Sequence, residues 1–288
     1  MEDLTILPLK TDKNSLKLKI PINPILPDLE NNFVLLIFAP RGSGKTTLYS
    51  NLLLNPNFFK RENYQYAFII SSTIYQDLTA VALREHFKET LYDKYDDEII
   101  SNLIKFQRSF ELEDRPKTIL ILDDFAGNRI KAVSHGITRF RHDNISCILS
   151  AQQSKSVQKI ARLNATDVMV FSTKNFKEIE DIYTEYGMLF GSLEKWIQLF
   201  RYATKEPYCF LYMKIDKKPY RCFKNFTEDI TNKFKETSTK RFFMGATLTN
   251  ENENNLDEVI REEIDDQEFV LTLGGLSAKE KQEIKLFI

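Results

Sequence analysis

The chain has 288 residues, 42% of them apolar, enough to bury one sizeable core with little left for a second. It contains no run of about 18 apolar residues, and Met1-Glu2-Asp3 lacks the basic, apolar, small-residue order of a signal peptide, so it reads as soluble and intracellular with no membrane partner. Net charge is −1, but the nine acids between Glu251 and Glu268 are opposed only by Arg261; that segment carries −8 and the remainder +7, compatible with a nucleic-acid partner and equally with a solvated surface.

Residues 1–30 predict an extended basic arm on the surface. Lys10, Lys13, Lys17 and Lys19 precede Pro21, Pro24 and Pro27, which disfavour helix. From residue 31 the pattern changes to short apolar runs, Phe33 to Ala39, Tyr66 to Ser71, Thr118 to Leu122, Ile145 to Ser150 and Asp167 to Phe171, whose length and Ile, Val and Phe content predict buried parallel strands. Helix-compatible stretches alternate with them: Thr46 to Leu54, Asp77 to Lys88, Asp96 to Arg108, Asn128 to Phe140 and Ser156 to Leu163. The alternation predicts an α/β fold with a mainly parallel central sheet flanked by helices.

Two more helices are expected over Phe176 to Tyr186 and Ser192 to Ala203. Tyr208 to Ile215 and Tyr220 to Phe223 follow, around Asp216-Lys217-Lys218-Pro219, as a C-terminal β-hairpin addition. Residues 31–227 therefore read as the main domain, and 228–288 as an acidic linker and short flexible tail. Ser277 and Glu280 form a capping box before a short C-terminal helix, which would either dock on a partner or pack back on its own domain. Cys147, Cys209 and Cys222 are too few and too scattered for a disulfide framework, and His86, His135 and His142 lack zinc-ligand spacing.

Ala39-Pro40-Arg41-Gly42-Ser43-Gly44-Lys45-Thr46 follows an apolar run and opens a helix, the setting a phosphate-binding loop requires. Gly42 and Gly44 permit close backbone approach, Lys45 reaches the β and γ phosphates, and the Thr46 hydroxyl ligands Mg2+. The run Thr118 to Leu122 ends in Asp123-Asp124, a Walker B pattern at the edge of a sheet where ligands bind. There Asp123 would hold a magnesium-bound water and Asp124 would orient the attacking water; taken alone, the pair would read as the start of a turn before Gly127. A second acid favours water as acceptor. Thr173-Lys174-Asn175-Phe176 fails the Asn-Lys-x-Asp guanine pattern, so ATP is the expected nucleotide. Gln152, at the end of the next run, is placed to sense the γ-phosphate, or is a surface amide.

These residues carry a resemblance. AlaProArgGlySerGlyLysThrThr at 39–47, IleIleSerSerThr at 69–73, IleLeuIleLeuAspAspPhe at 119–125, ArgPheArgHisAspAsnIleSer at 139–146 and ArgLeuAsnAlaThrAspValMetValPhe at 162–171 resemble the FtsK and HerA superfamily, specifically the poxvirus-type genome-packaging ATPases of large DNA viruses, virophages and Polintons. The resemblance spans about residues 31 to 226. It implies nucleotide roles for Lys45, Thr46, Thr47, Asp123, Asp124 and Gln152, a homo-oligomeric ring of five or six subunits, and double-stranded DNA as partner. It makes Arg139, Arg141 and Arg162 candidates for reaching a neighbour's nucleotide, Arg162 first and Arg141 second. It further implies capsid or other packaging proteins as partners of the C-terminal tail, and the host-cell cytoplasm or virus factory and the virion as locations. Two other functions stay open: a plasmid-transfer or segregation ATPase of the same superfamily, and an ATP-dependent assembly switch that never translocates.

Overall fold

The computed structural model describes residues 18–124, 133 and 136–234. The acidic segment and the C-terminal helix expected near Ser277 lie outside the described residues, as does most of the helix expected from Asn128.

Nine strands form one sheet in the order β3-β2-β4-β5-β1-β6-β7-β8-β9. They are β1 (Val34–Phe38), β2 (Tyr66–Ser71), β3 (Leu91–Tyr92), β4 (Thr118–Asp123), β5 (Ile145–Ala151), β6 (Asp167–Phe171), β7 (Phe210–Lys214), β8 (Arg221–Lys224) and β9 (Glu228–Asp229). Every pairing from β3 to β6 is parallel, and those from β6 to β9 are antiparallel. β1, β4 and β5 are buried along their whole lengths. Alternation divides their side chains between two apolar layers. Leu36, Phe38, Leu120 and Leu122 join one layer, and Leu35, Ile37, Ile119 and Ile121 the other.

Helices cover both faces. On one side α1 (Lys45–Leu54) contributes Leu48, Leu52 and Leu53, and α2 (Val81–His86) contributes Leu83. On the other, α3 (Asp97–Arg108) buries Ile100 and Leu103, α5 (Phe176–Glu185) buries Ile182 and α6 (Leu193–Ala203) buries Trp196 and Leu199. The short α4 (Lys159–Leu163) leads towards β6. Caps set several starts: Asp96, Asn175 and Ser192 accept backbone N–H groups of α3, α5 and α6.

Residues 18–30 run along the body with Leu26 and Leu29 buried. Apart from a turn in which Leu26 N–H donates to Asn23 O, carbonyls of this segment are met by lysines of the body. Lys117 Nζ donates to Leu29 O at 2.8 Å and Glu30 O at 3.1 Å, and Lys214 Nζ to Leu26 O at 2.6 Å. Chain packing continues through Ile230, which is buried and donates its N–H to Cys222 O.

Candidate nucleotide site

The parallel strands β1, β4 and β5 all end at one edge of the sheet, and the loop 39–46 is built there. Ala39 N–H donates to Ala151 O at 3.0 Å, so the loop leaves β1 level with the end of β5. Ser43 closes the first turn, its Oγ donating to Pro40 O at 2.8 Å. Gly42 (φ 77°) and Gly44 (φ 96°) occupy left-handed conformations that side chains rarely adopt. Gly44 starts α1 with no side-chain cap and no acid in the first turn, which leaves the backbone N–H groups there available to an anion. Arg41 and Thr47 are exposed on either side.

β4 delivers the two acids in different ways. Asp123 is buried, and its Oδ2 accepts from Ser71 Oγ at 3.0 Å and Tyr49 OH at 3.2 Å. Tyr49 OH also lies 3.3 Å from Thr46 Oγ1, tying the loop helix to the acid. Burial and the Asp123 charge push the Tyr49 hydroxyl far above its ordinary range, so it stays protonated as a donor. Asp123 Oδ1 is buried without a hydrogen-bond partner among the described residues. Asp124 turns out of the strand at φ 60°, with its N–H on Ser150 O. Its carboxylate receives Gln152 Nε2 at 3.1 Å on each oxygen and stands 3.6 Å from Lys45 Nζ. The structure thus brings Lys45, Thr46, Asp123, Asp124 and Gln152 to one place.

Sequence reading missed Ser71 and Asp77. Ser71 faces Asp123 because β2 and β4 pair in that register. Asp77 caps the turn before α2 by accepting from Thr79 N–H at 2.8 Å, and its side chain also hydrogen-bonds Thr46. Burial alone would raise its carboxyl, but the hydrogen bonds from Thr79 and Thr46 hold it below the ordinary carboxylate value. Its short-range signal is that of a cap; its place beside the loop arises from packing between distant elements.

The arginines stand elsewhere. Arg139 and Arg141 are exposed just before β5, and Arg162 lies on α4 before β6, where Thr166 N–H meets Val34 O at the beginning of β1. All three therefore sit at the edge where parallel strands begin, a strand length of roughly 17–23 Å from the loop. Arg162 pairs with Glu185 and is largely buried, its Nε lacking a partner among the described residues. The segment carrying Arg139 and Arg141 is anchored through Asp143, which accepts Arg108 Nε at 2.9 Å and Nη2 at 2.8 Å.

A phosphate-binding loop on β1, an acidic pair on β4, and β5 inserted between them with a glutamine at its end define a P-loop ATPase of the FtsK/HerA type. The family model described as "Poxvirus A32 protein" matches residues 28–238, and the chain belongs to that family. "Uncharacterized protein 075L" of Invertebrate iridescent virus 6 is 26% identical over 171 residues, covering 56% of this chain and 62% of that protein, so the match spans under two thirds of the curated relative's length. Among solved structures, the genome packaging NTPase B204 from Sulfolobus turreted icosahedral virus 2, in complex with ATP-gammaS, is 15% identical with a TM-score of 0.49, covering 68% of this chain and 98% of its own. The pCW3 conjugation coupling protein TcpA is 14% identical with a TM-score of 0.48, covering 67% of this chain and 60% of its own. No helix among the described residues is long and apolar enough to cross a membrane.

Proposed function

We propose that this protein is a magnesium-dependent ATPase that works as a ring and drives double-stranded DNA into a capsid. The observation that carries the hydrolytic part is the division of labour at Asp123. One carboxylate oxygen is fixed by Ser71 and by Tyr49, whose hydroxyl also reaches Thr46, while the other is buried and has no hydrogen-bond partner among the described residues. A buried carboxylate oxygen without a donor is costly unless a cation or a water it holds completes it. Thr46 Oγ1 and, through water, Asp123 would hold Mg2+; bound with ATP, the ion would neutralise charge on the phosphates.

The chain's own groups then do the rest. The backbone of residues 42–46 cradles the phosphates, and Lys45 reaches the β and γ positions. Asp124, turned out of β4 and steadied by Gln152, accepts hydrogen bonds from the attacking water and aligns it with the γ-phosphorus. Family membership and the +7 charge outside the acidic segment support DNA as the partner. In this reading residues 31–227 are the motor, residues 1–30 its arm, and 228–288 contact capsid or other packaging proteins.

The test is phosphate release with Mg2+ and ATP, with and without duplex DNA, at low salt. Chelator-sensitive hydrolysis that duplex accelerates is the expected result. Turnover indifferent to duplex even at high protein concentration would favour the assembly switch. A motor that moves duplex but loads no particle would belong with plasmid transfer or segregation.

A further inference from the structure

We propose that Tyr208 is the aromatic platform on which the purine base of the bound nucleotide stacks, an inference that rests on the nucleotide-binding reading of the loop. β7 runs antiparallel to β6, with Phe210 opposite Phe171, so the segment preceding β7 lies at the same edge as the loop. Tyr208 reaches the loop itself: its Cδ1 is 3.3 Å from where a side chain on Gly44 would begin. It is nevertheless 72% exposed, and neither its hydroxyl nor its ring has a partner among the described residues.

Its backbone conformation is unusual for so bulky a residue. φ is 64°, the left-handed region, which costs free energy in a residue of this size. The flanking residues are tied down instead. Cys209 N–H closes a turn onto Glu206 O at 3.2 Å, Glu206 pairs with Lys224 at 2.5 Å, and Phe210 N–H donates to Asn225 Oδ1 at 3.0 Å. The turn therefore holds an unpartnered aromatic ring at the loop.

The direction of the nucleotide selects this ring. β4 and β5 lie on one side of β1, and β6 and β7 on the other. Asp124 and Gln152 set the γ-phosphate end towards β4 and β5, so the nucleoside end leaves the loop towards β6 and β7, where Tyr208 precedes the strand. Stacking of this kind is indifferent to which purine is stacked, because every base has a π-face. Tyr208 thus contributes affinity for the base and no discrimination of adenine from guanine.

The experiment compares binding of Mg-ATP, Mg-GTP and Mg-tripolyphosphate to the full chain and to Tyr208→Ala, Tyr208→Phe and Tyr208→Trp. Tyr208→Ala is expected to weaken both nucleotides by the same factor, roughly 5- to 150-fold, and to leave tripolyphosphate unchanged, while Tyr208→Phe binds like the parent. In Tyr208→Trp, ATP should quench the new indole emission and tripolyphosphate should not; Trp196 is buried and provides a constant background. Equal losses of ATP and tripolyphosphate in Tyr208→Ala, or unaltered ATP binding in it, overturn the proposal while leaving the loop's role intact. A parent chain that binds neither ATP nor tripolyphosphate overturns that role and the proposal together.

Discussion

Gln152 donates its side-chain N–H groups to both carboxylate oxygens of Asp124, at 3.1 Å each, from the end of the strand that separates the loop strand from the acidic strand. The amide holds the carboxylate plane without neutralising it, so a catalytic effect of Gln152 would run through Asp124. Asp124→Asn should retain ATP binding and lose roughly 10²- to 10⁴-fold in turnover, as expected for removal of a group that takes the proton. Gln152→Ala should lose less, again in kcat and not in affinity. Single-turnover hydrolysis alongside equilibrium binding checks both; normal turnover in Asp124→Asn would remove the assignment.

The loop predicts a separate phenotype. Lys45→Ala should abolish nucleotide binding or turnover, since Lys45 bridges the phosphate cradle and Asp124. Gly44→Ala should cost about 1–2 kcal/mol through its left-handed φ and also crowd Tyr208. Thermal unfolding and ATP titration of both variants read these effects; a Gly44→Ala chain with parental melting would contradict the strain.

Much of this arrangement was legible in the sequence. The runs Tyr66 to Ser71 and Asp167 to Phe171 are strands with those same limits, because buried parallel strands are continuous apolar segments that need no partner to be recognised. β3 and β9, two residues each, carry no period and exist only through their neighbours. Strand order was equally hidden: β2 lies between the loop and acidic strands in sequence, yet β5 separates them in space. Contiguous motifs pointed to Lys45, Thr46, Asp123 and Asp124, which the fold brings to one place. Ser71, Asp77 and Tyr208 join them only through register and packing, which leave no local mark.

DNA binding, if it runs through the basic body, should weaken steeply with salt, since each phosphate neutralised releases counterions. Removing residues 251–288 should tighten it where the acidic segment competes for the same surface. A titration of labelled duplex at several salt concentrations, with the full and shortened chains, checks both. A flat salt dependence would argue against a phosphate-tracking surface.

Asp167 gives a pH dependence opposite to that of a paired surface acid. It is fully buried, accepting Tyr212 OH at 2.6 Å and Thr166 Oγ1 at 2.7 Å. Burial raises its carboxyl to about 6, against the opposing pull of Lys214, Tyr212 and Thr166. The folded chain therefore keeps a proton between about pH 4 and 6 that the unfolded chain has released. Stability from this group is fully present below about pH 4 and falls as pH rises to 6, by up to about 3 kcal/mol. Asp167→Asn, which cannot ionise, should melt higher than the parent at pH 7.5 and no higher at pH 4. A difference independent of pH would refute this account.

The final prediction is that turnover requires a neighbouring subunit. Transition-state charge on the γ-phosphate calls for a cation beyond Lys45, and the arginines of the family pattern lie at the opposite edge of the sheet from the subunit's own loop. At that separation, any contact they make with a nucleotide would be with a neighbour's. Arg162 would first have to leave Glu185, whereas Arg141 is exposed and, among the described residues, unpaired, on a segment that Arg108 anchors through Asp143. This contrast favours Arg141 and gives Arg162 a way to be judged. If Arg162 is structural, Arg162→Ala and Glu185→Ala should lower the melting temperature alike; if it is the finger, Glu185→Ala should keep turnover that Arg162→Ala loses. A finger contributes roughly 10³ to 10⁵ in rate, so Arg141→Ala should bind ATP and scarcely hydrolyse it. Loss alone does not distinguish a neighbour's role from a local one, but mixing does. An Arg141→Ala subunit keeps an intact loop and a Lys45→Ala subunit an intact arginine, so adjacent copies rebuild one working site. Hydrolysis should return on mixing, in proportion to the mixed interfaces, once sizing shows that Lys45→Ala still assembles. Co-assembled mixtures of inactive subunits that stay inactive would exclude Arg141 as the group supplied across the interface.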